Sequence, residues 1–262
     1  MVLRKYASIF AVAGRDQWVY LPAFLARNVF FVIILFVFFS LWRTIFRGDH
    51  AIVGFTMAQL LWYLTVTEAI ELSQTRIFAP ISQEVKDGTV AYSLARPYSY
   101  ALYWISRAMG ENLVKTLPLL VEGAVIATLL VGPLPGYFRA LPFALLTVVG
   151  GILIGTVLQT IIGLLAFWFE EVAPFWWIIQ KLIFVIGGMF IPIDLYPPWL
   201  ARIARLTPFA FAAYWPASTW VDFSWERFVT TIVGQGLYLG LFAVVATTIF
   251  RSAVRRLHVQ GG

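Results

Sequence analysis

A chain of 262 residues that is 61% hydrophobic and only 12% charged carries more apolar surface than a single soluble core of that size can enclose. Cysteine is absent, which removes disulfide frameworks and every thiolate-based metal or nucleophile site. The net charge of +6 points away from nucleic acid and toward a bilayer, because Lys and Arg gather beside anionic lipid on the cytoplasmic side.

In chain order, residues 1–20 come first. Leu3, Tyr6, Ile9, Phe10 and Ala13 recur at helical spacing, with Arg4, Lys5, Arg15 and Asp16 between them. The segment is expected to lie as an interfacial helix on the cytoplasmic membrane surface, anchored by Trp18 and Tyr20. It is too weakly apolar for a cleavable signal and is expected to be retained. Six apolar runs follow, at 22–41, 52–75, 102–130, 141–169, 174–191 and 228–250. Each is read as a transmembrane helix, since about 20 apolar residues cross a bilayer. The fold class is therefore an all-α polytopic membrane protein, one transmembrane domain over 1–262 with no room for a soluble domain.

Orientation follows from the basic residues. With the N-terminus in the cytoplasm, ten of them fall inside (Arg4, Lys5, Arg15, Arg76, Lys86, Arg96, Arg107, Arg251, Arg255 and Arg256). Six fall outside (Arg43, Arg47, Arg139, Arg202, Arg205 and Arg227). That bias puts both termini in the cytoplasm.

Between the second and third runs lies 82–100, SQEVKDGTVAYSLARPYSY, a polar stretch with apolar residues spaced at Val85, Val90, Leu94 and Tyr98. This is the pattern of a short surface helix that docks on a partner, and equally of an ordinary loop. The stretch 192–227 is rich in Pro and aromatics, among them Pro192, Pro197, Pro198, Trp199, Pro208 and Trp215. It is too apolar for a free loop and too broken for a span, so half-helices re-entering the outer leaflet fit it best.

Ionisable residues inside the runs need an explanation, because each costs at least ~2.5 kcal/mol at mid-membrane unless paired or hydrated. They are Glu68 and Glu71 in the second run, Glu111, Lys115 and Glu122 in the third, and Lys181 in the fifth. Glu111 and Lys115 stand at i, i+4 with Glu first, the favourable order. Two readings stand side by side: a polar lining of an inward-facing pathway, or a structural salt-bridge cluster clamping two spans. Gly151, Gly155 and Gly163 share one face of the fourth run, and Gly236 and Gly240 one face of the sixth, as helix-packing seams do.

The chemistry that is missing narrows the function. No Gly-Lys-Ser or Gly-Lys-Thr occurs, so a P-loop is excluded. The only histidines are His50, in a predicted outer loop, and His258, in the tail, and no Gly-x-Ser-x-Gly elbow is present. Glu170 and Glu171 form the single adjacent acidic pair, a thin basis for an intramembrane enzyme acting on lipids or isoprenoids. A passive channel or scaffold is the other alternative.

Three features together resemble the ABC-2-type permeases, membrane subunits of prokaryotic ATP-binding-cassette exporters. They are the order of interfacial helix and six spans; the run Glu84-x3-Gly88-Thr89-x4-Leu94-x2-Pro97; and Gly187-Gly188 and Phe190 followed by Pro192, Leu195, Pro198, Trp199 and Pro208. The resemblance covers essentially the whole chain. It implies that Gln83, Glu84, Val85, Lys86, Asp87, Gly88, Thr89, Leu94 and Pro97 belong to an ATPase-coupling element. It implies as partners a dimer of separate ATPases, which hold ATP and Mg, a second permease, identical or different, and membrane lipid. It implies no catalytic residue, metal or cofactor in this chain, and residence in the cytoplasmic membrane.

Overall fold

The computed structural model describes residues 2–19, 21–46, 54–134 and 137–260; Tyr20, Arg47 and His50 lie outside them, as do the side chains of Arg139, Arg256 and His258. No strand occurs among the described residues. In chain order the helices are α1 (Val2–Asp16), α2 (Leu21–Phe46), α3 (Met57–Ser73), α4 (Phe78–Lys86), α5 (Val90–Leu94) and α6 (Tyr100–Val131). They continue with α7 (Tyr137–Leu164), α8 (Ala173–Val185), α9 (Pro198–Arg205), α10 (Pro208–Ala212), α11 (Tyr214–Val221) and α12 (Trp225–Gln260).

Four stretches are helical, long and apolar enough to cross a membrane: Pro22–Phe46, Tyr100–Val131, Ala140–Phe167 and Trp225–Arg255. Their outer faces agree with that. α2 leaves Leu25, Val29, Ile33, Phe36 and Val37 exposed, and α12 leaves Val233, Leu237, Leu241 and Val244 exposed. Faces of that size are uncovered in water only at interaction sites, whereas lipid covers them at no cost. α3 has 17 residues and α8 only 13. A 13-residue helix is about 20 Å long, short of a hydrocarbon core of about 30 Å.

α3 is the central post. Every residue from 60 to 70 is buried, and the main apolar cluster joins it to α2, α6, α7 and α11 through Phe31, Leu35, Leu119, Ile152 and Trp220. Its start is fixed by a capping box between Thr56 and Gln59. α7 is the second post. A Cβ on Gly151 would lie 2.5 Å from the Ala212 carbonyl oxygen, one on Gly155 2.5 Å from Gln74 Nε2, and one on Gly163 2.8 Å from Ile81. That face of α7 is thus a close seam for three neighbours. Gly236 and Gly240 behave differently: nothing lies within 4 Å of a Cβ built on either. Around these two positions α12 meets nothing among the described residues.

α1 lies against α6 closely enough that a Cβ on Gly110 would stand 2.1 Å from the Phe10 carbonyl oxygen. Tyr6 accepts a hydrogen bond from the Ser99 N–H at 2.9 Å, and Lys5 donates to the Pro97 carbonyl at 3.1 Å.

The fifth apolar run was expected to stay helical to residue 191, yet α8 ends at Val185. Gly188 takes φ +71, which breaks the helix, and Pro192 cannot resume it. The freed carbonyls find donors on α3: the Tyr63 hydroxyl donates to Gly188 O at 2.5 Å and Thr67 to Met189 O at 2.9 Å. Three short helices, α9 to α11, then occupy most of 192–227, two of them opened by Pro198 and Pro208. Asp194 pairs with Arg205 at 2.6 Å and accepts from Tyr214 at 2.9 Å. α11 is buried along its length. Irregular backbone is tolerable at membrane depth only when the protein itself supplies such partners.

Candidate functional site

A cavity of about 600 Å³ lies between α2, α3, α7, α8 and the non-helical stretch after α8. Its walls are ordered along the helices. On α2 the lining residues run Arg27, Phe30, Ile34, Phe38, a length of about 16 Å. Arg76 lies beyond the end of α3, and the lining retreats through Gln74 and Glu71 to Glu68. On α8, Trp176 stacks near Phe78 with centroids 5.9 Å apart, Gln180 reaches Glu71, and Phe184 meets Phe190 at 4.9 Å. One end of the cavity is therefore basic, with Arg27 and Arg76. The middle is acid and amide. The far end is closed by Phe38, Phe184 and Phe190, with Phe38 stacked on Phe190 at 5.6 Å.

The two acids in the middle differ. Gln180 donates to Glu71 at 2.5 Å. Glu68 is 2% exposed, and its Oε1 is buried with no hydrogen-bond partner among the described residues. Gln159, from α7, completes this zone. It donates to Gln74 at 3.4 Å, while its own Oε1 is also buried without a partner.

Behind this wall sits a second polar group that is saturated. Glu111 accepts from Arg107 at 3.2 Å and pairs with Lys115 at 3.6 Å. The Thr75 hydroxyl lies between them, 3.1 Å from Glu111 and 2.5 Å from Lys115 Nζ. Asn112 accepts from the Thr75 N–H at 2.8 Å and donates to Thr156 at 3.1 Å, and it reaches Gln74 at 3.5 Å. Asn112 and Gln74 thus join the two groups across α3, α6 and α7.

Of the six ionisable residues singled out in the sequence, the structure places Glu68 and Glu71 on the cavity and Glu111 and Lys115 behind it. Glu122 joins neither. It stands 11 residues beyond Glu111 on α6, about 16 Å along the axis. Lys181 is exposed, its Nζ lying 4.9 Å from the centroid of the Phe184 ring. Gln74, Gln159, Gln180, Thr75 and Asn112 were missed, because uncharged amides and hydroxyls drop out of a search for charge. An interrupted apolar run was the available signal, since Gln159 and Gln180 are each set in one.

The stretch 82–100 forms a separate site. α4 begins earlier than that stretch and α5 follows it after a turn at Asp87–Gly88–Thr89, where Gly88 has φ +71. One face is fastened inward. Val90 is fully buried with Ile77, Ile81, Tyr100 and Leu164, with Val85 and Leu94 packed partly against them. Glu84 accepts from the Tyr100 hydroxyl at 2.8 Å, and Lys86 pairs with Glu171 at 2.5 Å. The other face is open: Gln83, Asp87, Gly88, Thr89 and Pro97 are exposed, and Tyr92 is 77% exposed. Lys5 of α1 holds the Pro97 end of the same element.

A family model described as "ABC-2 family transporter protein" matches residues 31–261. A search of curated proteins finds no match. The chain belongs to the ABC-2 transporter family, whose members are membrane components of transporters and whose partner is an ATP-binding-cassette ATPase.

Proposed function

We propose that this chain is the permease subunit of an ATP-driven exporter, pairing with a second permease, identical or different, and docking two copies of a separate ATPase. ATP and Mg reside on those partners. α3 and α8, with the stretch that follows α8, complete six passes, 192–227 re-enters from outside, and both termini face the cytoplasm of a prokaryotic cell. Hydrolysis on the partner drives the α4–α5 element, and the chain itself performs no chemistry.

The observation that supports this reading is the two-sidedness of α4–α5. Its outward ridge is polar around a left-handed glycine turn, with Tyr92 standing clear as an aromatic anchor of the kind enriched at interfaces. Its inward face is tied to α6 through Tyr100 and to α7 through Leu164, and α1 is tied to both Pro97 and α6. A push on the ridge therefore reaches α7, which contributes Gln159 to the cavity wall.

The test is co-purification with the cognate ATPase after Tyr92→Arg or Asp87→Lys. Both residues are exposed, so folding and membrane insertion are expected to be unchanged, within about 0.5 kcal/mol. ATPase retention is expected to fall at least tenfold. Full retention with wild-type turnover in both variants would refute the docking role.

A further inference from the structure

We infer that the cavity between α2, α3 and α8 binds an amphipathic organic cation, with its ammonium between Glu68 and Glu71 and its apolar body against Phe38, Phe184 and Phe190. Describing that cation as cargo rests on the exporter reading above; its binding does not.

The first ground is an unmet acceptor. Buried polar atoms in folded proteins have partners, and Glu68, on the cavity wall, has an Oε1 that is buried with none among the described residues. Glu71 is one helical turn away on the same wall, so the two carboxylates converge on one volume. When ionised the two carboxylates offer only acceptors, and the group that matches them and favours that state is a donor with positive charge.

The second ground is what surrounds them. Phe38, Phe184 and Phe190 form a contiguous aromatic end, with ring pairs at 5.6 and 4.9 Å. Aromatic faces attract a cation as well as shelter its apolar body. The volume of about 600 Å³ lies within the range that holds a small organic molecule.

The third ground is the placement of the protein's own cations. Lys115 is engaged by Glu111 and Thr75 behind the wall. Arg27 and Arg76 line the opposite end of the cavity from the aromatic closure, and Arg76 is exposed. Lys181, with its Nζ 4.9 Å from the Phe184 ring, and Arg76 both attract Glu71, whereas no cation among the described residues is felt at Glu68, so Glu68 is the acid left to a ligand.

The experiment uses the full chain in phosphatidylcholine nanodiscs. The probe is rhodamine 6G, a planar aromatic cation with N–H donors, followed by fluorescence anisotropy against empty discs; fluorescein, a planar anion, serves as the counter-probe. Rhodamine 6G is expected to bind the wild type, with a loss of at least tenfold in Glu68→Gln, a smaller loss in Glu71→Gln and none in Arg251→Gln, an exposed position on α12. Arg27→Gln is expected to tighten binding or leave it unchanged. Repeating the titration in discs containing phosphatidylethanolamine separates the two sources of an ammonium. A loss of dye affinity there, seen in the wild type and not in Glu68→Gln, identifies a lipid amine as occupant; no loss identifies a cation taken from water.

Equal dye affinity in the wild type, Glu68→Gln and Glu71→Gln would overturn the inference. So would fluorescein binding that weakens in Arg27→Gln and strengthens in Glu68→Gln, which marks an anion site. Should Glu68→Gln fail to fold, Glu71→Gln carries the same comparison. A chain that binds the dye but never retains an ATPase keeps this site and loses the exporter reading. One that retains the ATPase and ignores the dye does the reverse.

Discussion

Two polar groups, each built around a buried glutamate, meet through Gln74 and Asn112, and they have opposite character. In the group at Glu111, nearly every donor and acceptor is answered. Arg107, Lys115 and Thr75 all meet the carboxylate, and Asn112 bonds the start of the chain that leaves α3. In the group at Glu68, a carboxylate oxygen and the Gln159 carbonyl oxygen are buried without partners beside an open volume. The cost of burying charge is offset internally in the first case and left open in the second. A closed network fixes helices against one another. An open one waits for a ligand. The difference lies in what the neighbouring helices contribute, and acidic residues alone do not reveal it.

The largest expected effect tests the closed group. Glu111→Ala leaves the buried Lys115 ammonium with only the Thr75 hydroxyl, and should destabilise by about 3–5 kcal/mol, the range for breaking a buried pair. Lys115→Ala should cost less, because Glu111 keeps Arg107 and Thr75. The double change Glu111→Gln with Lys115→Gln should recover much of the loss. Thermal unfolding followed by tryptophan fluorescence in detergent reads all three. Equal single losses and no recovery would show that the pair is not the clamp.

A smaller effect is expected at Thr75→Val. The substitution keeps the shape and removes one hydroxyl shared by Glu111 and Lys115, a loss of about 1–2 kcal/mol. Thr75 also donates its N–H to Asn112, which the variant preserves, so the link to α7 should survive. Smaller still is Glu68→Gln, at a carboxyl whose Oε1 meets no partner among the described residues. Its melting midpoint is expected to hold or rise. A fall as large as that of Glu111→Ala would place Glu68 in the closed group and erase the contrast.

Much of the frame was legible in the sequence. The runs that became α2, α6, α7 and α12 are long and apolar, and bilayer thickness leaves such runs little choice of structure. The Pro-rich 192–227 stretch reads as broken helix because proline forbids continuation, and α9 and α10 begin at such prolines. Less of the site was legible. Hydropathy continues through 174–191, but φ +71 at Gly188 ends α8 early, a backbone feature that composition does not encode. Glu68 and Glu111 read alike in sequence, and only the fold assigns one to a cavity and the other to a network. The partners that decide the matter are Gln180, Thr75 and Asn112, uncharged residues recruited from three different segments.

The finest test of the boundary between the two groups is Gly155→Ala. An added methyl would stand 2.5 Å from Gln74 Nε2, the atom that donates to the Ile152 carbonyl at 3.1 Å. The obstacle is the tip of a flexible side chain, so the amide can swing aside rather than force α3 and α7 apart. That forfeits a hydrogen bond of about 1 kcal/mol. Replacing glycine by alanine inside a helix returns roughly 0.5–1 kcal/mol. The two nearly cancel, so the melting midpoint should scarcely move. The cavity should feel the change more than the fold does. Gln74 lines it, accepts from Gln159 and touches Asn112, so its displacement alters the polar middle while leaving Glu111 and Lys115 in place. Rhodamine 6G affinity is therefore expected to change by a few fold in a variant of unchanged stability. A large drop in melting midpoint with unchanged dye binding would mean that Gln74 belongs to the clamp, and that the cavity wall begins at Glu71.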